Sequence, residues 1–222
     1  MLFRDRVQAG RELAQRLLPR RGSDLVVLAL PRGGVPVAYE IAAALDAPLD
    51  IVLVRKIGAP LQPELAVGAV VDGDQPEVVV NEDVKAELGV PDSYIEAETE
   101  VQLREIERRR RLYLKGRHRV PVEGRTAIVV DDGFATGATM RAALRATRRR
   151  RPAALVLAVP VAPPASIEEL RPETDEVICL HTPSWFAGVG QFYSDFHQVN
   201  DDTVAALLQK RSAARPAPDR AK

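Results

Sequence analysis

The chain has 222 residues, enough for one sizeable core with a small appendage, and its 46% hydrophobic and 28% charged composition is that of an ordinary globular protein. Lys and Arg balance Asp and Glu at 31 each, so a formal net charge of +0 excludes a global field drawing the chain to nucleic acid or membrane. A single cysteine, Cys179, excludes an intramolecular disulfide, and three scattered histidines (His118, His181, His197) offer no metal-site spacing.

The first stretch, MLFRDRVQAGRELAQRLL, is interrupted by charge throughout. It reads as an amphipathic helix with Phe3, Val7, Ala14 and Leu17 on one stripe, not as a secretory leader. DLVVLAL (24–30) reads as a buried strand, GVPVAYEIAAALD (34–46) as a helix and DIVLV (50–54) as a second strand, followed by a loop through Gly58, Pro60 and Pro63. LAVGAVVD and EVVVN (65–81) form two short strands around the turn DGDQP. The segment 93–114 is a long charged helix with Glu100–Arg104, Glu105–Arg109 and Glu107–Arg111 each four apart, Glu first, the favourable order. Its sparse apolar residues suggest a solvent-facing or partner-facing insertion, bounded at 91–116. RTAIVVDD (125–132) is a strand, GATMRAALRATRRRR (137–151) a helix, and AALVLAVPV (153–161) and EVICL (176–180) complete the strands.

Continuous apolar strands separated by helices define an α/β fold: an open, mainly parallel twisted sheet with helices on both faces. The organisation expected is an N-terminal helix over 1–22, a core over 23–181, a C-terminal segment over 182–211 and a disordered tail over 212–222. The basic runs Arg108–Arg111 and Arg148–Arg151 lie near helix C-termini, where positive charge complements the helix dipole, so they argue weakly for nucleic acid. No apolar run approaches a membrane span; the expected setting is the cytoplasm.

The stretch TAIVVDDGFATGATM (126–140) carries the chemistry. Strand, acidic pair, small-residue loop and helix, in that order, place a ligand site at the carboxyl end of a parallel strand. The backbone N–H groups of Ala135, Thr136, Gly137, Ala138 and Thr139 can approach a phosphate closely, with two hydroxyl donors and a helix N-terminus beside them. Asp131 and Asp132 cannot bind phosphate by charge; they suit ligand hydroxyls or a metal-bound water. A ribose 5-phosphate satisfies both halves. The spacing is not a P-loop, since Ala138 stands where a lysine would be required, and G-x-G-x-x-G is absent. A second loop, ALPRGGVPVA (29–38), combines Arg32, a charge-assisted donor, with Gly33 and Gly34, which permit close backbone approach.

The 126–140 stretch resembles the phosphoribosyl-pyrophosphate (PRPP) signature of type I phosphoribosyltransferases, with Gly133 where that family usually has a bulky apolar residue. The resemblance implies a type I core plus a small hood, formed by the C-terminal segment over 182–211 with the N-terminal helix over 1–22 as a candidate part of it. It implies that Asp131 and Asp132 hold the ribose hydroxyls and that residues 135–139 cradle the 5-phosphate. Arg32 and Gly33 would bind pyrophosphate in a loop that often carries a non-proline cis peptide, joined by Arg55 and Lys56 beneath a mobile loop. Glu64, Phe134, Trp185 and Phe186 are the acceptor candidates. The aromatic block SWFAGVGQFYSDF (184–196) either stacks on a flat heterocycle or builds a small hydrophobic subdomain or dimer surface. The implied function is Mg²⁺-dependent transfer of a 5-phosphoribosyl group from PRPP to a nitrogenous acceptor by a homodimer. Ala135 and Ala138 replace the acid and lysine usual in hypoxanthine and guanine enzymes, which counts against a 6-oxopurine. The alternative is a PRPP-binding regulatory protein without turnover, with the Arg-rich helix at 104–111 as its candidate nucleic-acid surface.

Overall fold

The computed structural model describes residues 2–73 and 76–214, with the side chain of Glu64 outside that description. Five parallel strands form the central sheet in the order β2-β1-β6-β7-β8: β1 (Leu25–Ala29), β2 (Leu49–Ile51), β6 (Thr126–Val130), β7 (Ala154–Val161) and β8 (Glu176–His181). Their residues are apolar on both sides because both faces are covered. Alternate residues of one strand serve opposite cores. Leu25, Val27 and Ala29 face α1 (Arg6–Leu17), α2 (Gly34–Leu45), α4 (Asp92–Leu114) and α7 (Asp201–Ala214). Val26 and Leu28 face α5 (Ala138–Arg149) and α6 (Pro164–Leu170).

The apolar run at 50–54 is not one strand. It leaves the central sheet after β2 and enters a separate antiparallel sheet of β3 (Val54–Ala59), β4 (Gln62–Val71) and β5 (Glu77–Val80). The change of partner accounts for the break: the Val52 N–H donates to the Ala29 carbonyl in the first sheet, while the Leu53 carbonyl accepts from Asp72 beside the second. The expected loop through Gly58, Pro60 and Pro63 is therefore a hairpin, with Ala59 opposite Gln62 and an irregular register at Gly58. A short helix, α3 (Glu82–Glu87), capped by Asn81, leads on to α4.

The charged helix α4 is not a detached insertion. Ile95, Ile106, Tyr113 and Leu114 bury one face in the first core, while the Tyr94 hydroxyl donates to the Gly58 carbonyl at 3.0 Å. Its outer face carries the expected Glu–Arg pairs, at 3.9 Å for Glu100–Arg104, 2.6 Å for Glu105–Arg109 and 3.0 Å for Glu107–Arg111. The other basic run is also partnered, Arg148 with Asp175, Arg149 with Glu77 and Arg151 with Glu123. Among the described residues, no helix is long and apolar enough to cross a membrane.

Residues near the two ends of the described chain meet. The Leu2 and Phe3 N–H groups donate to the Phe192 carbonyl, and Ser194 and Asp195 donate to Phe3 and Arg4 in return. Phe3, Ala9, Val161, Phe192 and Tyr193 build a third small core there. Helix α7 closes the first core with Val204 and Leu208 and runs to Ala214, past the start of the tail expected from 212; residues 215–222 of that tail lie outside the described residues.

Helix α1 buries Ala9, Gly10, Leu13, Ala14 and Leu17, while Phe3 precedes the helix and Val7 is only half-buried. At the crossing of α1 and α2, a β-carbon on Gly10 would sit 2.7 Å from the Val37 carbonyl oxygen. Gly10→Ala is expected to lower stability by about 1–3 kcal/mol through overpacking, despite alanine's better helix propensity. Denaturant unfolding checks this; an unchanged midpoint would mean that the helices part without cost.

Candidate active site

Strands β1 and β6 are parallel neighbours in register from Leu25 opposite Thr126 to Ala29 opposite Val130. Their carboxyl ends therefore stand level, and the Leu30 N–H continues the ladder to the Val130 carbonyl at 2.9 Å. The two loops singled out in the sequence leave the sheet side by side at this point. The Pro31–Arg32 peptide is cis. Gly33 has an ordinary φ of −61°, so what its position demands is space. A β-carbon there would overlap the carboxylate of Asp132, and one on Gly34 would stand 2.7 Å from the Val130 carbonyl oxygen.

Asp132 is buried and Asp131 half-buried. Asp131 Oδ1 accepts the Asp132 N–H at 2.8 Å. Burial, reinforced by the charge of Asp132, pushes the Asp131 carboxyl well above the usual carboxylate range. Asp132 is also raised by burial, but the Arg6 guanidinium opposes that shift. Arg6 Nε lies 2.6 Å from Asp132 Oδ2, with the two side chains 11% and 12% exposed. Arg6 Nη1 donates to the His197 carbonyl at 2.9 Å, and its guanidinium carbon lies 3.8 Å over the Phe196 ring. Tyr193 stacks on Phe196 with centroids 5.0 Å apart and donates its hydroxyl to the Asp132 carbonyl at 2.6 Å.

The loop beyond the acids is shaped by close packing. Gly133 has φ +137°, and a β-carbon there would stand 2.8 Å from the Val161 carbonyl oxygen, which excludes a bulky residue. Gly137 begins α5 in the left-handed region at φ +71°, and no side chain caps the helix. The first-turn N–H groups of α5 thus have no side-chain acceptor, while Ala135, Thr136, Ala138 and Thr139 are exposed around them. Ser166 of α6 pins the loop by donating to the Ala135 carbonyl at 2.6 Å.

A cavity of about 340 Å³ opens at this level, lined by Arg32, Gly33 and Asp132 from the two loops. Arg6, Phe196, Gln198 and Val199 complete its wall. Arg32 faces Asp201 at 3.6 Å, and Asp201 accepts the Tyr113 hydroxyl at 2.6 Å. Arg55 and Lys56 do not line this cavity. They sit within β3, opposite Val70 and Ala69, and Arg55 Nε donates to Gln102 of α4 at 2.9 Å. Glu64 stands in β4, and its side chain lies outside the described residues. Phe134 is buried in the second core with Met140, Leu144 and Leu170 and does not line the cavity. Trp185 is 73% exposed and Phe186 packs on Phe192 with centroids 5.1 Å apart; neither lines the cavity.

Arg6, Phe196, Gln198, Val199 and Asp201 are the site residues that sequence reasoning missed. Phe196 stands in the aromatic block, where nothing local distinguishes it from its neighbours, and Arg6 opens a helix whose pattern signals only packing.

An Arg-Gly-Gly loop, an acidic pair and a helix N-terminus thus stand at adjacent strand ends of an open parallel sheet, the place where α/β proteins of this architecture bind ligands. The family is more specific: a sequence model of the phosphoribosyl transferase domain matches residues 3–197, and the chain belongs to that family. Two Mycobacterium tuberculosis proteins, from strains H37Rv and CDC 1551, each bear the name "Putative phosphoribosyl transferase" and are 47% identical over 209 residues. The match covers 94% of this chain and 47% of theirs, so the chain spans about half the length of the curated relatives it matches. The crystal structure of TT1426 from Thermus thermophilus is 44% identical with a TM-score of 0.81, over 95% of this chain and 99% of that one.

Tyr193→Phe deletes the donor to the Asp132 carbonyl while keeping the ring stacked on Phe196. The expected loss is about 1–3 kcal/mol, because a buried acceptor is left unpaired. Equilibrium unfolding measures it, and a neutral result would mean that water replaces the hydroxyl.

Proposed function

We propose that this protein is a phosphoribosyltransferase that moves a 5-phosphoribosyl group from PRPP to a nitrogenous acceptor and releases pyrophosphate. The observation that carries this reading is the packing of Gly33 against the Asp132 carboxylate. Arg32 and Gly33, from the loop suited to pyrophosphate, and Asp132, from the acidic pair suited to ribose hydroxyls, line one cavity, and a helix with no side chain at its cap follows the pair.

Each part has a role in the reading. The N–H groups and hydroxyls of residues 135–139 take the 5-phosphate. Asp131 and Asp132 take the ribose hydroxyls as acceptors. Gly33 offers backbone and Arg32 a guanidinium to the leaving pyrophosphate. Cleavage develops oxocarbenium character at the sugar, which the negative charge of the acidic pair favours. Arg55 and Lys56 enter this reading only on closure of the β3–β4 hairpin over the site. Phe196 has Arg6 on one side and Tyr193 stacked against it, so it offers a flat acceptor little stacking surface; the wall at Gln198 and Val199 is the acceptor side.

Mg²⁺ fits the donor set in a limited way. No group of three or more His, Cys, Asp or Glu side chains poised for a metal occurs among the described residues. Two adjacent carboxylates suit a hard cation that takes its remaining ligands from substrate oxygens and water. Asp131 and Asp132 would hold it, and when bound it would neutralise pyrophosphate charge.

The test is pyrophosphate release from PRPP and Mg²⁺ across adenine, uracil, hypoxanthine, guanine, xanthine, orotate and nicotinate. One acceptor is expected to support release. Asp132→Asn and Gly33→Ala should each lower kcat/KM by roughly a hundredfold, since both disturb the shared wall of the cavity. A wild-type protein that neither releases pyrophosphate nor is stabilised by PRPP would end this reading.

A further inference from the structure

Arg6 lies outside both loops yet reaches their meeting point. It is the first residue of α1, 126 positions from Asp132 and 191 from His197. Its side chain is fixed at three places: Nε on Asp132 Oδ2, Nη1 on the His197 carbonyl, and the guanidinium plane over Phe196. Anchoring α1 does not require this. The helix is already seated by Leu13, Ala14 and Leu17, and the preceding residues by hydrogen bonds to 192–195. Burying a guanidinium against a carboxylate carries a desolvation cost, which a helix already held by apolar contacts has no need to bear.

The geometry around Asp132 gives the arginine a use. The Gly33 backbone presses so close to the carboxylate that a β-carbon would overlap it, with Oδ2 the nearest atom. Arg6 grips the same oxygen at 2.6 Å. The main chain is held by the Tyr193 hydroxyl and by the N–H bond to Asp131. Rotation of the carboxylate is thus restricted by contacts centred on Oδ2, and the Asp131 side chain hydrogen-bonds the same group. Lysine would supply charge at this position but not a planar donor that can be sandwiched and directed at once.

We propose that Arg6 is a positioning residue for phosphoribosyl transfer: by fixing Asp132 Oδ2 it presents the other carboxylate oxygen to the ribose hydroxyls of PRPP. This rests on the phosphoribosyltransferase reading above. It makes the start of α1, and the 196–197 segment that holds Arg6 in place, part of the ribose site.

The experiment compares wild type, Arg6→Met and Arg6→Lys in the full chain. Arg6→Met keeps the apolar stem over Phe196 and removes every donor. Its KM for PRPP, or its Kd by titration calorimetry where turnover is absent, is expected to rise roughly tenfold or more. Its kcat should fall less, and the acceptor KM and inhibition by inorganic pyrophosphate, which uses the Arg32–Gly33 loop, should stay at wild-type values. Arg6→Lys should recover part of the PRPP affinity. Thermal melting of all three separates site effects from loosening of the fold. Arg6→Met with wild-type PRPP affinity, whatever its melting point, would overturn the proposal and leave Arg6 a structural anchor. Tighter PRPP binding by Arg6→Met would overturn it in the other direction, making Arg6 a latch over the ribose site. Loss of a positioning role shows only in the variants, whereas failure of the phosphoribosyltransferase reading shows in wild type as no PRPP binding, and it removes this proposal too.

Discussion

At the centre of the site a backbone meets a carboxylate: no β-carbon can stand between residue 33 and Asp132. That constraint runs backwards through the fold. It requires β1 and β6 to be adjacent and parallel, and their register to end level at Ala29 and Val130. It requires α2 to start within the glycine pair, at Gly34, which stands against the Val130 carbonyl and Asp131. Sheet order, register and a missing β-carbon are therefore one condition stated at three scales.

Two adjacent acids at the end of an apolar strand are an unfavourable feature in isolation. Burial disfavours both charges and each disfavours the other, which is why the Asp131 carboxyl is held so high. The surroundings offset this unequally. Asp132 has a guanidinium in contact with it, whereas Asp131 is met by the backbone N–H and the side chain of its neighbour. The pair is chemically asymmetric although the two residues are identical in type. The asymmetry comes from α1 and from the loop after β8, not from the strand that bears them.

The framework was legible in the sequence because the strands β1, β6 and β7 are continuous apolar runs bounded by turn residues, and their two-sided burial leaves no other use for such runs. The acidic pair and the glycine loop were legible because their chemistry is compressed into short stretches. Where one run serves two sheets, as at 50–54, pattern alone could not show the break, since the residues are apolar on both sides of it. The buried face of α4 went unread because four or five apolar positions are spread among many Glu–Arg pairs. The partnership of Arg6 with Asp132 has no local signature at all: an ion pair across 126 positions is visible only once the fold has joined the ends.

The pairing of residues 2–4 with 192–195 also bears on how the molecule assembles. The guanidinium that grips Asp132 is made among the first residues of the described chain, but the carbonyl and ring that hold it belong to residues 196–197. During synthesis the strands β1, β6 and β7 can pair while that last segment does not yet exist. Contacts of such long sequence separation are the slow ones in folding. The cavity wall is thus completed only after the strands: a nascent chain stopped short of residue 197 would carry both loops and the acidic pair, yet lack Gln198 and Val199 of the pocket wall.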